Sequence, residues 1–343
     1  MEDIQTEQHQ GTGCVSCNHP IVSKDGPTPL CEACREKFIK FPIPLWIKIF
    51  GGCIAVIFLF AIVKLPGNLS MGIHVEKGKK AIRQKNFLTA QKELEVATKK
   101  LPGNIEAKAN LMIAAFYNGD LKTMSEAWAD LTEKQIEDND LFASLQDIIA
   151  RTEDYVPGDS LTALSEKYKT ADSIPLKELL LFQEKEPKNV FLKELFASQF
   201  FNQENYSMCD STLDMLLSVR NDFMPALVLK ATLKREMNQF DSSFYYCDRA
   251  LEINHEYTYM ISSRARTLLK QHKDAEALEL ANKAYKMQEK DYYSLATMAL
   301  VCHYTNKIKE RDAYVKLAAA DSTAMGYMQY PIDVIKGVEK FRD

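Results

Sequence analysis

Residues 190–223 read VFLKELFASQFFNQENYSMCDSTLDMLLSVRNDF. Three blocks of the same length follow: MPALVLKATLKREMNQFDSSFYYCDRALEINHEY at 224–257, TYMISSRARTLLKQHKDAEALELANKAYKMQEKD at 258–291 and YYSLATMALVCHYTNKIKERDAYVKLAAADSTAM at 292–325. Small residues return at Ala197, Ala231, Ala265 and Ala299. A second set runs Leu216, Ala250, Ala284 and Ala318, and a third runs Cys209, Ser243, Ala277 and Arg311, where Arg311 is the misfit. Apolar residues hold the intervening turn or its edge at Tyr206, Phe240 and Ile308, with Asp274 as the exception. A fixed period of this size marks stacked supersecondary units, each burying its apolar face against the next. Each block reads as two helices joined by a short turn, so the chain is predicted to be all-α.

The frame reaches toward the N-terminus. Gly78, Phe87, Ala90, Leu94, Ala97 and Pro102 fit one repeat beginning at Met71, and Leu121, Met124, Trp128 and Leu131 fit the next. These make two repeats over 71–138. Residues 139–189 are irregular: an extra helix over 139–155, then a degenerate repeat ending in Pro187. Residues 326–343 read as a helix capping the last apolar face.

This pattern resembles the tetratricopeptide repeat (TPR) family across nearly all of 71–325. The resemblance implies a helical-repeat solenoid in which the first helix of each repeat lines a groove for a protein or peptide. By register the groove candidates are Phe191, Glu194, Ser198 and Phe201, then Arg235, then Tyr259 and Arg266, then Tyr293 and His303. A wall mixing aromatics with arginine suits a peptide bearing apolar and acidic groups. Where chaperone-binding members hold a terminal carboxylate with Lys, Asn and Arg, only Arg266 matches here, so that specificity is not expected.

Upstream the composition changes. Residues 1–13 read as a flexible tail. Within 14–40, Cys14, Cys17, Cys31 and Cys34 form CxxC, thirteen residues, CxxC, with the turn-forming Asp25–Gly26–Pro27 between. Two such knuckles can present four thiolates to one tetrahedral Zn2+. The spacing resembles zinc ribbons, and metal would stabilise a segment too short for its own core. Two disulfides, or a degenerate ribbon without metal, are the alternatives; His19 could replace a cysteine. A site closed by four cysteines leaves no position for a catalytic water, so the zinc is expected to be structural. Lys24, Arg35, Lys37 and Lys40 are interspersed with acids, a weak footprint for nucleic acid.

Residues 45–65, LWIKIFGGCIAVIFLFAIVKL, lack charge from Ile49 to Val63. They predict a transmembrane helix over 44–65, with Lys48 and Lys64 snorkelling and Trp46 at the interface. A buried core helix or a secretory signal fits less well. Thiolate ligands favour a reducing compartment, which places the N-terminus in the cytosol and the repeats outside it. The layout resembles bacterial inner-membrane proteins with periplasmic repeats and, in outline, mitochondrial import receptors.

The 343 residues carry 46% hydrophobic and 26% charged residues and a formal net charge of -4, which gives no global drive toward nucleic acid. GIHVEKGKK at 72–80 fails as a phosphate loop, and the six histidines form no HExxH pair or nucleophile motif. The expectation is a non-catalytic, membrane-anchored scaffold that binds protein, with no small-molecule substrate. The alternative is a membrane-bound regulator whose ribbon contacts nucleic acid or a transcription component. Cys209, Cys247 and Cys302 read as small core residues.

Overall fold

The computed structural model describes residues 13–20, 28–39, 43–168 and 174–342. The predicted tail falls almost wholly outside these residues, and so does the Asp25–Gly26–Pro27 turn. The chain divides into two compact units, Met1–Leu69 and Ser70–Asp343.

In the first unit the chain turns over Val15–Cys17, with Asn18 in the left-handed region at φ 59°. Helix α1 spans Glu32–Ile39 and α2 begins at Leu45 and runs to Arg83. Here the structure corrects the sequence reading. Among the described residues no helix is long and apolar enough to cross a membrane. Farther along, α2 carries Glu76, Lys77, Lys79, Lys80 and Arg83. The predicted transmembrane helix over 44–65, the bilayer contact and the bacterial inner-membrane localisation fall with it.

The second unit is helical throughout its described regular structure. After the end of α2 come α3 (Phe87–Lys100), α4 (Ile105–Tyr117), α5 (Leu121–Leu131), α6 (Asn139–Thr152), α7 (Asp159–Tyr168) and α8 (Leu176–Lys185). Four pairs follow: α9 (Val190–Asn202) with α10 (Tyr206–Val219), α11 (Met224–Glu236) with α12 (Phe240–Ile253), α13 (Thr258–Lys270) with α14 (Asp274–Met287), and α15 (Tyr292–Tyr304) with α16 (Ile308–Ala318). Helix α17 (Ser322–Ile335) packs on α15 and α16.

The period is written into the backbone. First helices open at 190, 224, 258 and 292, and second helices at 206, 240, 274 and 308, each 34 apart. Between them Glu204, Asn238, His272 and Asn306 adopt positive φ of 58°, 57°, 60° and 55°. The next amide donates back across the turn, Asn205 to Phe200 O at 2.9 Å and Gln239 to Lys234 O at 2.8 Å, with Lys273 and Lys307 alike. That six-to-one bond with a left-handed residue is a Schellman stop, which satisfies the last carbonyls of one helix while reversing the chain. Lys85 and Gly119 close the earlier pairs the same way.

Small side chains then let the rods nest. Ala197, Ala231, Ala265 and Ala299 are fully buried, as are Ala250, Ala284, Ala318, Cys209, Ser243 and Ala277. Gly78 is the extreme case: a Cβ there would meet Leu94 Cγ at 2.5 Å, so α2 and α3 touch where no side chain fits. Cys209, Cys247 and Cys302 are buried, and burial raises each thiol to about 11, so they stay protonated and inert.

Candidate functional site

The predicted groove residues lie on the first helices, but the chain itself covers several of them. Arg235 is 3% exposed, and Arg266 and Tyr293 are each 6% exposed. Tyr259 stacks on Tyr293 with centroids 3.8 Å apart and planes at 8°. The Arg266 guanidinium lies 4.1 Å over the Tyr293 ring and its Nε donates to Thr297 Oγ1 at 2.8 Å. Arg235 donates from Nε to Glu236 at 3.0 Å and from Nη1 to Ser263 Oγ at 3.2 Å, and Lys270 Nζ donates to the same Glu236 at 2.7 Å. Burial works against the Glu236 charge, yet the neighbouring Arg235 and Lys270 hold its carboxyl below the usual carboxylate range. Tyr259, Tyr293 and Arg266 therefore form one internal stack, while Arg235 is held by Glu236 and Ser263.

The other candidates lie apart. Ser198 Oγ donates to Glu194 Oε1 at 2.9 Å, and Phe201 tilts against Tyr206. His303 meets Tyr304 edge-on, and burial, with Arg311 and Arg342 nearby, keeps it neutral to lower pH.

Within this unit the first pairs meet the later ones along a polar seam. Lys85 Nζ donates to Glu252 O at 2.8 Å, and the His255 amide donates to Lys85 O at 3.0 Å. The Thr89 amide and hydroxyl both donate to the Glu256 carboxylate at 2.7 Å. Asn254 Nδ2 donates to Tyr117 O and Asn118 Oδ1.

A cleft of about 370 Å³ adjoins the seam, walled by Phe116, Tyr117, Tyr155, Phe191, Phe223 and Tyr257, with Glu194 also in its lining. Its rings brace one another: Phe87 stacks on Tyr117 at 4.4 Å, Phe116 meets Tyr155 edge-on at 5.3 Å, and Tyr155 leans on Phe223 at 4.8 Å. Burial pushes the Tyr155 hydroxyl up to about 12. Arg151 backs the cluster, donating to Asp222 at 2.7 Å with its guanidinium 5.2 Å from the Phe116 ring centre. Sequence reading named Phe191 and Glu194 but missed Tyr155, Phe223 and Tyr257. A signal existed, since Phe223 and Tyr257 occupy the cap positions of α11 and α13, where a short polar residue is the usual choice.

In the first unit Cys14, Cys17, Cys31 and Cys34 bring their sulfurs within 4.8 Å of one another, Cys17 and Cys31 at 3.5 Å. Tetrahedral zinc with Zn–S near 2.3 Å needs sulfurs about 3.8 Å apart, so the donor set fits. The Cys14 amide donates to His19 O at 2.9 Å, while the second knuckle opens α1, where the Arg35 amide donates to Cys31 O. The Cys31 amide holds the Cys14 thiol down at about 6, whereas the crowding thiols of Cys17 and Cys31 push Cys34 up to about 12. Four thiolates cannot ionise side by side without a cation among them. What the structure establishes is a four-cysteine cluster able to hold a metal ion.

No family model matches the chain, and no curated protein matches it. Solved structures do. A tetratricopeptide repeat protein from Parabacteroides merdae is 14% identical over 77% of this chain and 99% of its own, with a TM-score of 0.41. Yeast Tom70 is 16% identical over 73% of this chain and 58% of its own, with a TM-score of 0.37. Pseudomonas aeruginosa pilF is 12% identical over 78% of this chain and 98% of its own, with a TM-score of 0.31. These scores are low, and the fold rests on the chain's own 34-residue register. It is an all-α solenoid of helix pairs repeating every 34 residues.

Proposed function

We propose that this chain is a non-catalytic scaffold that holds a protein partner in the cleft walled by Tyr117, Tyr155, Phe191, Phe223 and Tyr257. The cleft carries the reading: rigid aromatic rings line a concavity of about 370 Å³, room for more than one large apolar side chain, in the form of an anchor pocket in a protein interface. The partner segment then offers an apolar anchor. Arg235 and Arg266 are buried, so the proposed cleft does not draw on them and no acidic group is asked of the partner. A photo-crosslinking residue at Phe191 is expected to capture a partner, whereas one at Val219, exposed on α10, is not. Equal capture from both positions, or none from 191, overturns the reading.

For the four cysteines the supported reading is a structural zinc site. It would hold two chain segments together where there is little core, and binding would release protons from the thiols. Purified protein is expected to carry about one zinc per chain, and Cys14→Ser to lose it. Wild-type protein without stoichiometric zinc would remove the site.

A further inference from the structure

Helix α14 opens on the residue that broke the repeat pattern. Its counterparts in the other pairs are Tyr206, Phe240 and Ile308, and here an acid, Asp274, replaces them. The structure supplies the reason. Arg342 directs Nη1 and Nη2 at the two Asp274 oxygens, the second pair at 2.9 Å, and Nη1 also donates to Leu269 O at 2.5 Å. Its guanidinium lies 4.2 Å over the Tyr304 ring. A forked carboxylate, a carbonyl and an aromatic face make a complete receptor for one arginine. Beside it Phe341 is 2% exposed, packed near Tyr304 and Tyr330 with the Lys270 ammonium 5.5 Å from its ring centre.

The chain reaches this pocket through a reversal. Gly337, at φ 74°, ends α17, and the Val338 amide donates to Asp333 O at 2.8 Å. Val338 and Glu339 are exposed. Phe341 and Arg342 are seated through their side chains, on a short segment without regular structure.

We propose that Phe341–Arg342 is an internal ligand of a peptide-binding pocket, and that the pocket's external partner is a segment carrying an aromatic residue followed by arginine. The inference rests on the reading of the solenoid as a holder of protein segments, but it uses a pocket distinct from the Phe191 cleft. A short tether gives the internal ligand an effective concentration on the order of millimolar. A partner therefore competes only by adding contacts along the same face, which makes the segment a mask. Lysine cannot replace the arginine, because it lacks the fork.

The test uses the full chain with Phe341→Ala and Arg342→Ala, and a fluorescent peptide of sequence KGVEKFR, residues 336–342. Anisotropy is expected to show binding to this vacated chain about tenfold or more tighter than to wild type, one decade of affinity being about 1.4 kcal/mol. Adding Asp274→Asn, or changing the peptide to KGVEKFK, is expected to remove about tenfold or more. Circular dichroism checks that each variant is folded. If the vacated chain is not, Arg342→Lys alone is used, and it too must bind the peptide more tightly than wild type does. No binding to a folded vacated chain, or equal binding to wild type, overturns the proposal. Crosslinking from Phe191 is read separately, so loss of one result leaves the other standing.

Discussion

Arg342 holds the Asp274 carboxyl below the usual carboxylate range, against the opposing effect of burial and with help from the His272 charge. A carboxylate with a lowered folded value adds stability above its unfolded value, near 3.9, and loses it as pH falls through the lowered one. The seat of Arg342 is therefore expected to survive from pH 8 to about 5 and to open only below about 4. A 19F label at Phe341 reports this as a shift from a buried to an exposed signal; release near pH 6.5 would point to a histidine instead. Cysteine chemistry divides at the same scale. Cys209, Cys247 and Cys302 are buried protonated thiols, whereas Cys17 and Cys53 are exposed. In zinc-free protein a maleimide is expected to label Cys17 and Cys53 well before the three core thiols, as mass spectrometry of tryptic peptides would show.

A helix pair depends on two things, a small contact and a left-handed stop. Ala265 has no exposed surface, so Ala265→Leu overpacks the pair and is expected to cost about 1–3 kcal/mol, seen as a lower melting temperature. Glu204 adopts φ 58° without being glycine; Glu204→Gly relieves that strain and is expected to gain about 1 kcal/mol or less. An unchanged or lower melting temperature for Glu204→Gly would show that the turn is not strained. The first dependence was legible in the sequence and the second was not. Alanine returning every 34 residues is a volume constraint that composition displays, whereas Glu204, Asn238, His272 and Asn306 share a backbone angle and little chemistry. Tyr206, Phe240 and Ile308 were placed at the turn or its edge and in fact open the second helices. The run at 45–65 misled because apolar residues were counted without the rest of α2, which continues into charged turns as far as Arg83. Register also assigned Arg235 and Arg266 to a free wall: a period tells which face of a helix a residue occupies, but not which other segment lands there.

In the second unit the seam joins residues far apart in the chain, Lys85 to Glu252 and Thr89 to Glu256. A single sequence shows no trace of such pairings, because they recur at no interval and join hydrophilic residues of ordinary kinds. Glu256→Ala removes both acceptors of Thr89, a loss on the order of 1.5–3 kcal/mol for bonds to a charged group. Hydrogen exchange is expected to accelerate at Thr89 and its neighbours in α3 while α13 and α15 keep their protection; unchanged exchange at Thr89 would mean the seam contributes nothing. The seam also bears on how the chain reaches its native state. A stack of repeats can zip up from any point, each pair needing only its neighbour. Here Lys85 must find a carbonyl 167 residues away, a contact that stacking each pair on its neighbour does not by itself bring about. The native state is then fastened by a clasp between two ends of a folded stack, and every repeat between them has to be in register for the halves to meet.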